Sequence, residues 1–214
     1  MSSGNNLDEF LNNQPKNVHS SDRALANLVR SAYPIGVPAL IMKSSTDRML
    51  ISSGYSFILG TPDELLRSLA SWLITEAGNT HRVLLKLIKR LWKRHGREDV
   101  ALAAILLANI DHKGMGTNPW EILEDSIHPV ESVDSLLLNI EELFRAKRQP
   151  PREDLILKWI NGRKIDQHLS LIVTYSGKVH GHDFSKEVIE KISQIEIPSG
   201  DSILTRIKSK LLEN

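Results

Sequence analysis

The sequence predicts a mainly α-helical protein: an irregular antiparallel array of helices or an α-solenoid of helix pairs. Three observations carry this. Leucine, isoleucine and tryptophan recur at three- and four-residue steps through most of the chain after residue 61, the spacing that lines one side of a helix. Gly and Pro fall between those runs rather than inside them, where they end helices. Of the 214 residues, 41% are hydrophobic and 25% charged, a balance that fills a core without staples. Cysteine is absent, which excludes disulfides, thiolate nucleophiles and Cys-ligated metals and fits a reducing, cytoplasmic setting.

Residues 1–20, rich in Ser, Asn and Gly, lack a signal-peptide layout and read as a disordered polar arm. A single helical domain is expected over residues 21–214. Asp22 is a cap candidate for a short helix through Arg30, which Pro34 ends because proline has no amide hydrogen. Between Ile35 and Gly60 the helical period is lost, and Val37–Met42 with Met49–Ile51 suggests a small hairpin near residues 37–51. Thr61, Pro62 and Glu64 then resemble a capping box, so a helix is expected from Thr61 to about Ala77, stopped by Gly78.

Two further helices are expected from Thr80 to His95, with Gly96 as terminator, and from Glu98 to Ile110, where two acids face the positive helix end. Asp111–Pro119 reads as a loop, followed by helices near Trp120–Ser126 and Val130–Lys147. Beyond Pro150 and Pro151, helices are expected at Glu153–Asn161, Ile165–Ser176, Ser185–Ile195 and Asp201–Leu212. No stretch reaches the roughly 18 consecutive apolar residues of a membrane span, so no membrane partner is expected.

Global charge is nearly balanced, 27 basic against 26 acidic residues; only local clustering points to a partner. The second long helix is the most polarised. Lys86, Lys89, Arg90, Lys93 and Arg94, with Arg97 just beyond, share one face, and Leu84, Leu85, Leu87, Ile88, Leu91 and Trp92 take the other. Such a strip suits phosphates, although solvated basic faces are also common. Arg163 and Lys164 add two cations at a later helix junction, and Trp92 and Trp159 are the candidate aromatic contacts. The acids Glu121, Glu124, Asp125, Glu131, Asp134, Glu141 and Glu142 read as a solvated face, since nothing pairs two of them for acid–base work. His180-Gly181-His182-Asp183 offers two imidazoles and a carboxylate but reads as a loop with Asp183 capping the next helix, so no metal and no cofactor are expected. No phosphate loop, dinucleotide fingerprint or nucleophile elbow occurs.

The stretch Leu87-Ile88-Lys89-Arg90-Leu91-Trp92-Lys93-Arg94, followed by Glu98 through Ala108, resembles the helix pair of the HEAT-like DNA alkylation repair family. Trp159 through Val173 is similar to that family's later Trp-led pair. The resemblance implies a solenoid of HEAT-like pairs holding duplex DNA in a basic concave groove. Base excision does not carry over: the family's aromatic and acidic cluster has no counterpart between Ile127 and Glu142, and Asp166 and His168 stand where it tends to place a second Trp and an Arg. The leading expectation is therefore a nucleic-acid-binding protein using Lys86, Lys89, Arg90, Lys93, Arg94, Arg97, Arg163 and Lys164 on duplex DNA. The alternative is a scaffold for a protein partner, and a DNA glycosylase, the one enzymatic reading, comes third.

Overall fold

The computed structural model describes residues 3–37, 54–78 and 81–213. Among these the fold is all-α, without a strand; the hairpin expected near 37–51 lies almost entirely outside the described residues. The chain divides into two compact units, Met1–Pro119 and Trp120–Asn214. None of the described helices is long and apolar enough to cross a membrane.

In the first unit the helices are α1 (Ser3–Asn12), α2 (Asp22–Ala32), α3 (Asp63–Ala77), α4 (Arg82–Arg94), α5 (Arg97–Asn109) and a single turn, α6 (His112–Met115); a short 3-10 turn, Lys16–Ser20, precedes α2. Helix α5 is the hub. Its run Val100-Ala101-Leu102-Ala103-Ala104-Ile105-Leu106-Leu107-Ala108 is buried on every side, as expected where a helix is apolar all round, and α3 and α4 pack on it. Helix α4 in turn carries α2, burying Leu84, Leu87, Ile88 and Leu91 against the interior.

The second unit holds α7 (Pro119–Ser126), α8 (Val133–Arg145), α9 (Glu153–Ile160), α10 (Lys164–Val179), α11 (Lys186–Ser193) and α12 (Ser202–Leu212). Its hub is α10, on which α8, α9 and α12 pack, with α11 against α9 and α12. Helix α10 runs through Gly177 rather than stopping before it, and the glycine lets the Phe184 ring approach closer than any Cβ would allow.

Several helix ends differ from expectation for identifiable reasons. Helix α2 is capped by Ser21, whose Oγ accepts from the Ala24 amide, one residue before the expected cap Asp22. Thr61 caps nothing: α3 starts at Asp63 with Pro62 as the preceding residue, and the buried Thr61 hydroxyl instead donates to the Tyr33 carbonyl at 2.9 Å. Helix α4 ends at His95, which takes the left-handed conformation at φ 58°, so Gly96 is not its terminator. A Cβ at Gly96 would penetrate the Phe57 ring, so glycine there serves close packing, and the left-handed turn falls to the residue before it. Ser185, not Asp183, caps α11.

The expected polar arm carries α1, with Leu7 and Leu11 buried. Two leucines one turn apart were enough to seat an otherwise polar segment. Replacing Leu11 with Ala should lower the unfolding free energy by about 2–3 kcal/mol, the usual loss for a buried leucine whose cavity partly collapses; urea denaturation checks it, and an unchanged midpoint would show that α1 does not contribute to the core.

Candidate functional site

The basic face of α4 is built by its sequence period. Arg82, Lys86, Lys89 and Lys93 stand at i, i+4, i+7 and i+11, which places them in one line on a helix, and all four are exposed. The line is about 16 Å long at 1.5 Å per residue. None of the four enters an ion pair among the described residues. Arg82 was absent from the expected strip because the sequence placed it in the first turn of a helix starting at Thr80; the same four-residue step that links Lys86 to Arg90 could have found it.

Arg90 and Arg94 turn toward α2. Arg90 Nε donates to Asp22 Oδ2 at 2.6 Å, and this hydrogen bond, ahead of the partner's charge, holds the Asp22 carboxyl below the usual carboxylate range. Four residues on, Arg94 Nη1 donates to the Ala26 carbonyl at 2.7 Å. The two arginines thus grip two positions one turn apart on α2, consistent with side chains four apart on facing helices.

Arg94 is the structural member of the set. Its Nε and Nη2 donate to the two oxygens of Asp99, at 2.6 and 2.5 Å, a bidentate geometry that suits guanidinium. Asp99 has no exposed side-chain surface and also accepts from the Tyr33 hydroxyl at 2.9 Å and the Gly96 amide at 3.3 Å. Burial, then the Asp99 charge and hydrogen bond, push the Tyr33 phenol well above its usual value. Burial opposes the Arg94 charge, but the bond to Asp99 and its charge prevail and raise its pKa.

Beside this clasp, the segment 54–61 is strapped over the α4–α5 corner. Ser56 N donates to the His95 carbonyl at 2.8 Å and Arg97 N to the Phe57 carbonyl at 2.9 Å. The buried Glu98 Oε1 accepts from the Leu59 and Gly60 amides, both at 2.9 Å. Arg30 lies 3.6 Å over the Phe57 ring, a cation–π contact. Arg97, still half-exposed, lies 3.8 Å from Glu98 and stands past the end of the α4 line.

Trp92 is 1% exposed and Trp159 also 1%, so both expected aromatic contacts are core residues. In the second unit Arg163 repeats the Arg94 arrangement, donating from Nε and Nη2 to Asp166 at 2.9 and 2.7 Å, while Asp166 accepts the Arg163 amide at 2.9 Å. Lys164 is exposed and lines a cleft of about 500 Å³ with Gln167, Lys191, Gln194 and Glu196.

No family model, curated protein or solved structure matches the chain. His180 and His182 converge on Phe144, at ring distances of 5.0 and 5.8 Å, and His180 Nε2 lies 3.1 Å from Glu141. Among the described residues no three His, Cys, Asp or Glu side chains are grouped to hold a metal. Of the acids read as a solvated face, Glu142 is buried and pairs with Arg145 at 2.9 Å.

The Arg94–Asp99 clasp makes a prediction of its own. Changing Asp99 to Ala leaves Arg94 and the Tyr33 hydroxyl without their shared acceptor and should cost about 3–5 kcal/mol, the penalty for a buried pair that loses one member. Arg94→Lys should also destabilise, by a smaller amount, because an ammonium cannot make the bidentate contact. Thermal and urea unfolding of both variants check this; equal stability to wild type would show that the clasp is not structural.

Proposed function

We propose that the first unit binds nucleic acid through its phosphate backbone, using the exposed face of α4. The observation that carries this reading is the unbroken line Arg82, Lys86, Lys89 and Lys93: four exposed cations, none in an ion pair among the described residues, on a helix whose other side is buried core. A rigid row of cations about 4.5–6 Å apart, at 1.5 Å of rise per residue, faces the dense charge of a nucleic-acid strand, one phosphate per 3.4 Å of rise on each strand, without needing one-to-one register.

The helix offers no exposed ring for a base to stack on, since its one aromatic residue, Trp92, is in the core. Stacking, which supplies single-strand affinity elsewhere, is therefore not available from α4, and contacts to phosphate do not read sequence. The reading is accordingly duplex DNA held without sequence preference. Support for kinship with HEAT-like DNA alkylation repair proteins is narrower. The two stretches that carry the resemblance, 87–94 and 98–108, lie in α4 and α5, which pack directly against each other across the His95-Gly96 corner. A solenoid of such pairs is the corresponding proposal for architecture. No catalytic role is assigned to any residue.

Titration of duplex DNA at several salt concentrations tests the function. Four neutralised phosphates correspond to a log–log slope of about −3.6, from about −0.9 per phosphate. The triple variant Lys86→Glu, Lys89→Glu, Lys93→Glu should lose binding at low salt and keep its helicity by circular dichroism, because all three side chains are exposed. Absence of wild-type binding at low salt would remove the reading.

A further inference from the structure

Along α4, the row of free cations is bordered by one that is already occupied. Arg90 lies one turn beyond Lys86 and one residue beyond Lys89, and its Nε is held by Asp22 Oδ2 at 2.6 Å. The pair is at the surface, with Arg90 46% and Asp22 23% exposed, and Lys86 acts electrostatically on the same carboxylate. Arg94, the next cation on that side, is committed to Asp99 and to the Ala26 carbonyl.

We infer that Asp22 is a built-in competitor for the phosphate-binding face: its carboxylate occupies Arg90 and cancels the charge that would make it a fifth cation of the row. The inference rests on the nucleic-acid reading above and concerns how that face is regulated. Asp22 is not needed to cap α2, a task Ser21 performs. Its position in the first turn of α2 does favour a negative charge there, through the positive end of the helix, so the carboxylate is held ionised where it faces Lys86 and Arg90. A phosphate approaching this edge meets a carboxylate of the same sign beside the guanidinium, whose Nε Asp22 holds. With Asp22 in place the ligand shares Arg90 with a competing anion, and the guanidinium contributes its full charge only once that carboxylate is displaced or neutralised.

The test is duplex-DNA titration of the full chain carrying Asp22→Asn, which keeps the side chain's size and removes its charge. Freeing Arg90 for one more phosphate should steepen the salt slope by about 0.9. The gain in affinity over wild type should then be about three- to fourfold larger at 50 mM than at 200 mM salt, since one contact scales as the fourfold salt ratio to the power of about 0.9. Two controls separate a local effect from a change in net charge. Asp63→Asn removes an acid paired with Arg67 within α3 and should leave the slope unchanged. The double variant Asp22→Asn, Arg90→Gln should lose the gain, because the gain acts through Arg90.

Wild-type binding with an unaltered slope in Asp22→Asn would overturn the inference and leave the nucleic-acid reading standing. So would a gain that persists without Arg90. Silence of both the wild type and Asp22→Asn, with melting curves showing folded protein, would overturn the inference and the nucleic-acid reading together.

Discussion

One carboxylate organises the first unit. Asp99 is buried without exposed side-chain surface, and an ionised group in such a place is tolerable only when its oxygens are filled with donors. Arg94 supplies two, Tyr33 one and the Gly96 amide another. Those donors come from the end of α4, the residue after α2 and the start of α5, so satisfying one charge fixes three helices at a common corner. The strap formed by residues 54–61 depends on the same corner, since its hydrogen bonds are made with His95, Arg97 and Glu98. Stability and register are joined here: shifting α5 by one residue would bury Asp99 with no donors in reach.

The exposed face of α4 is a by-product of that arrangement. Because Arg94 and Arg90 are drawn to α2, the helix is locked in rotation, and its remaining cations are left in a line on the outer side. Four charges on one rigid helix need no backbone ordering to meet an anion, so the conformational entropy at stake is that of the side chains alone. Flexible lysine stems adjust their reach locally, while the backbone that spaces them stays fixed by the core.

Much of this was legible beforehand and some was not, with physical reasons for each. Periodicity identified α3 to α5 and α7 to α12 because their apolar residues must face a core, and it put Lys86, Lys89 and Lys93 on the outside correctly. It could not separate Arg90 and Arg94 from them. A helical projection shows which way a side chain leaves the helix, but whether it meets water or a carboxylate depends on Asp22 and Asp99, one distant in sequence and one across the corner. Thr61 was misread because Thr-Pro-Asp-Glu satisfies a local capping pattern while its hydroxyl is claimed by Tyr33, 28 residues away. Gly96 was misread because close approach of Phe57, not chain reversal, explains the missing side chain. Leu7 and Leu11 were passed over because composition averaged them into a polar segment.

The division of labour between the two kinds of cation has a chemical corollary. The guanidinium groups of Arg90 and Arg94 hold helices together, whereas three of the four charges facing outward are primary amines. Amine-directed acylation neutralises lysine and leaves arginine charged. Such a reagent, or an enzyme with the same selectivity, would strip Lys86, Lys89 and Lys93 of charge and leave the clasp on Asp99 intact. The surface potential of this helix can thus be reduced to the charge of Arg82 by covalent chemistry without unfolding the unit that presents it.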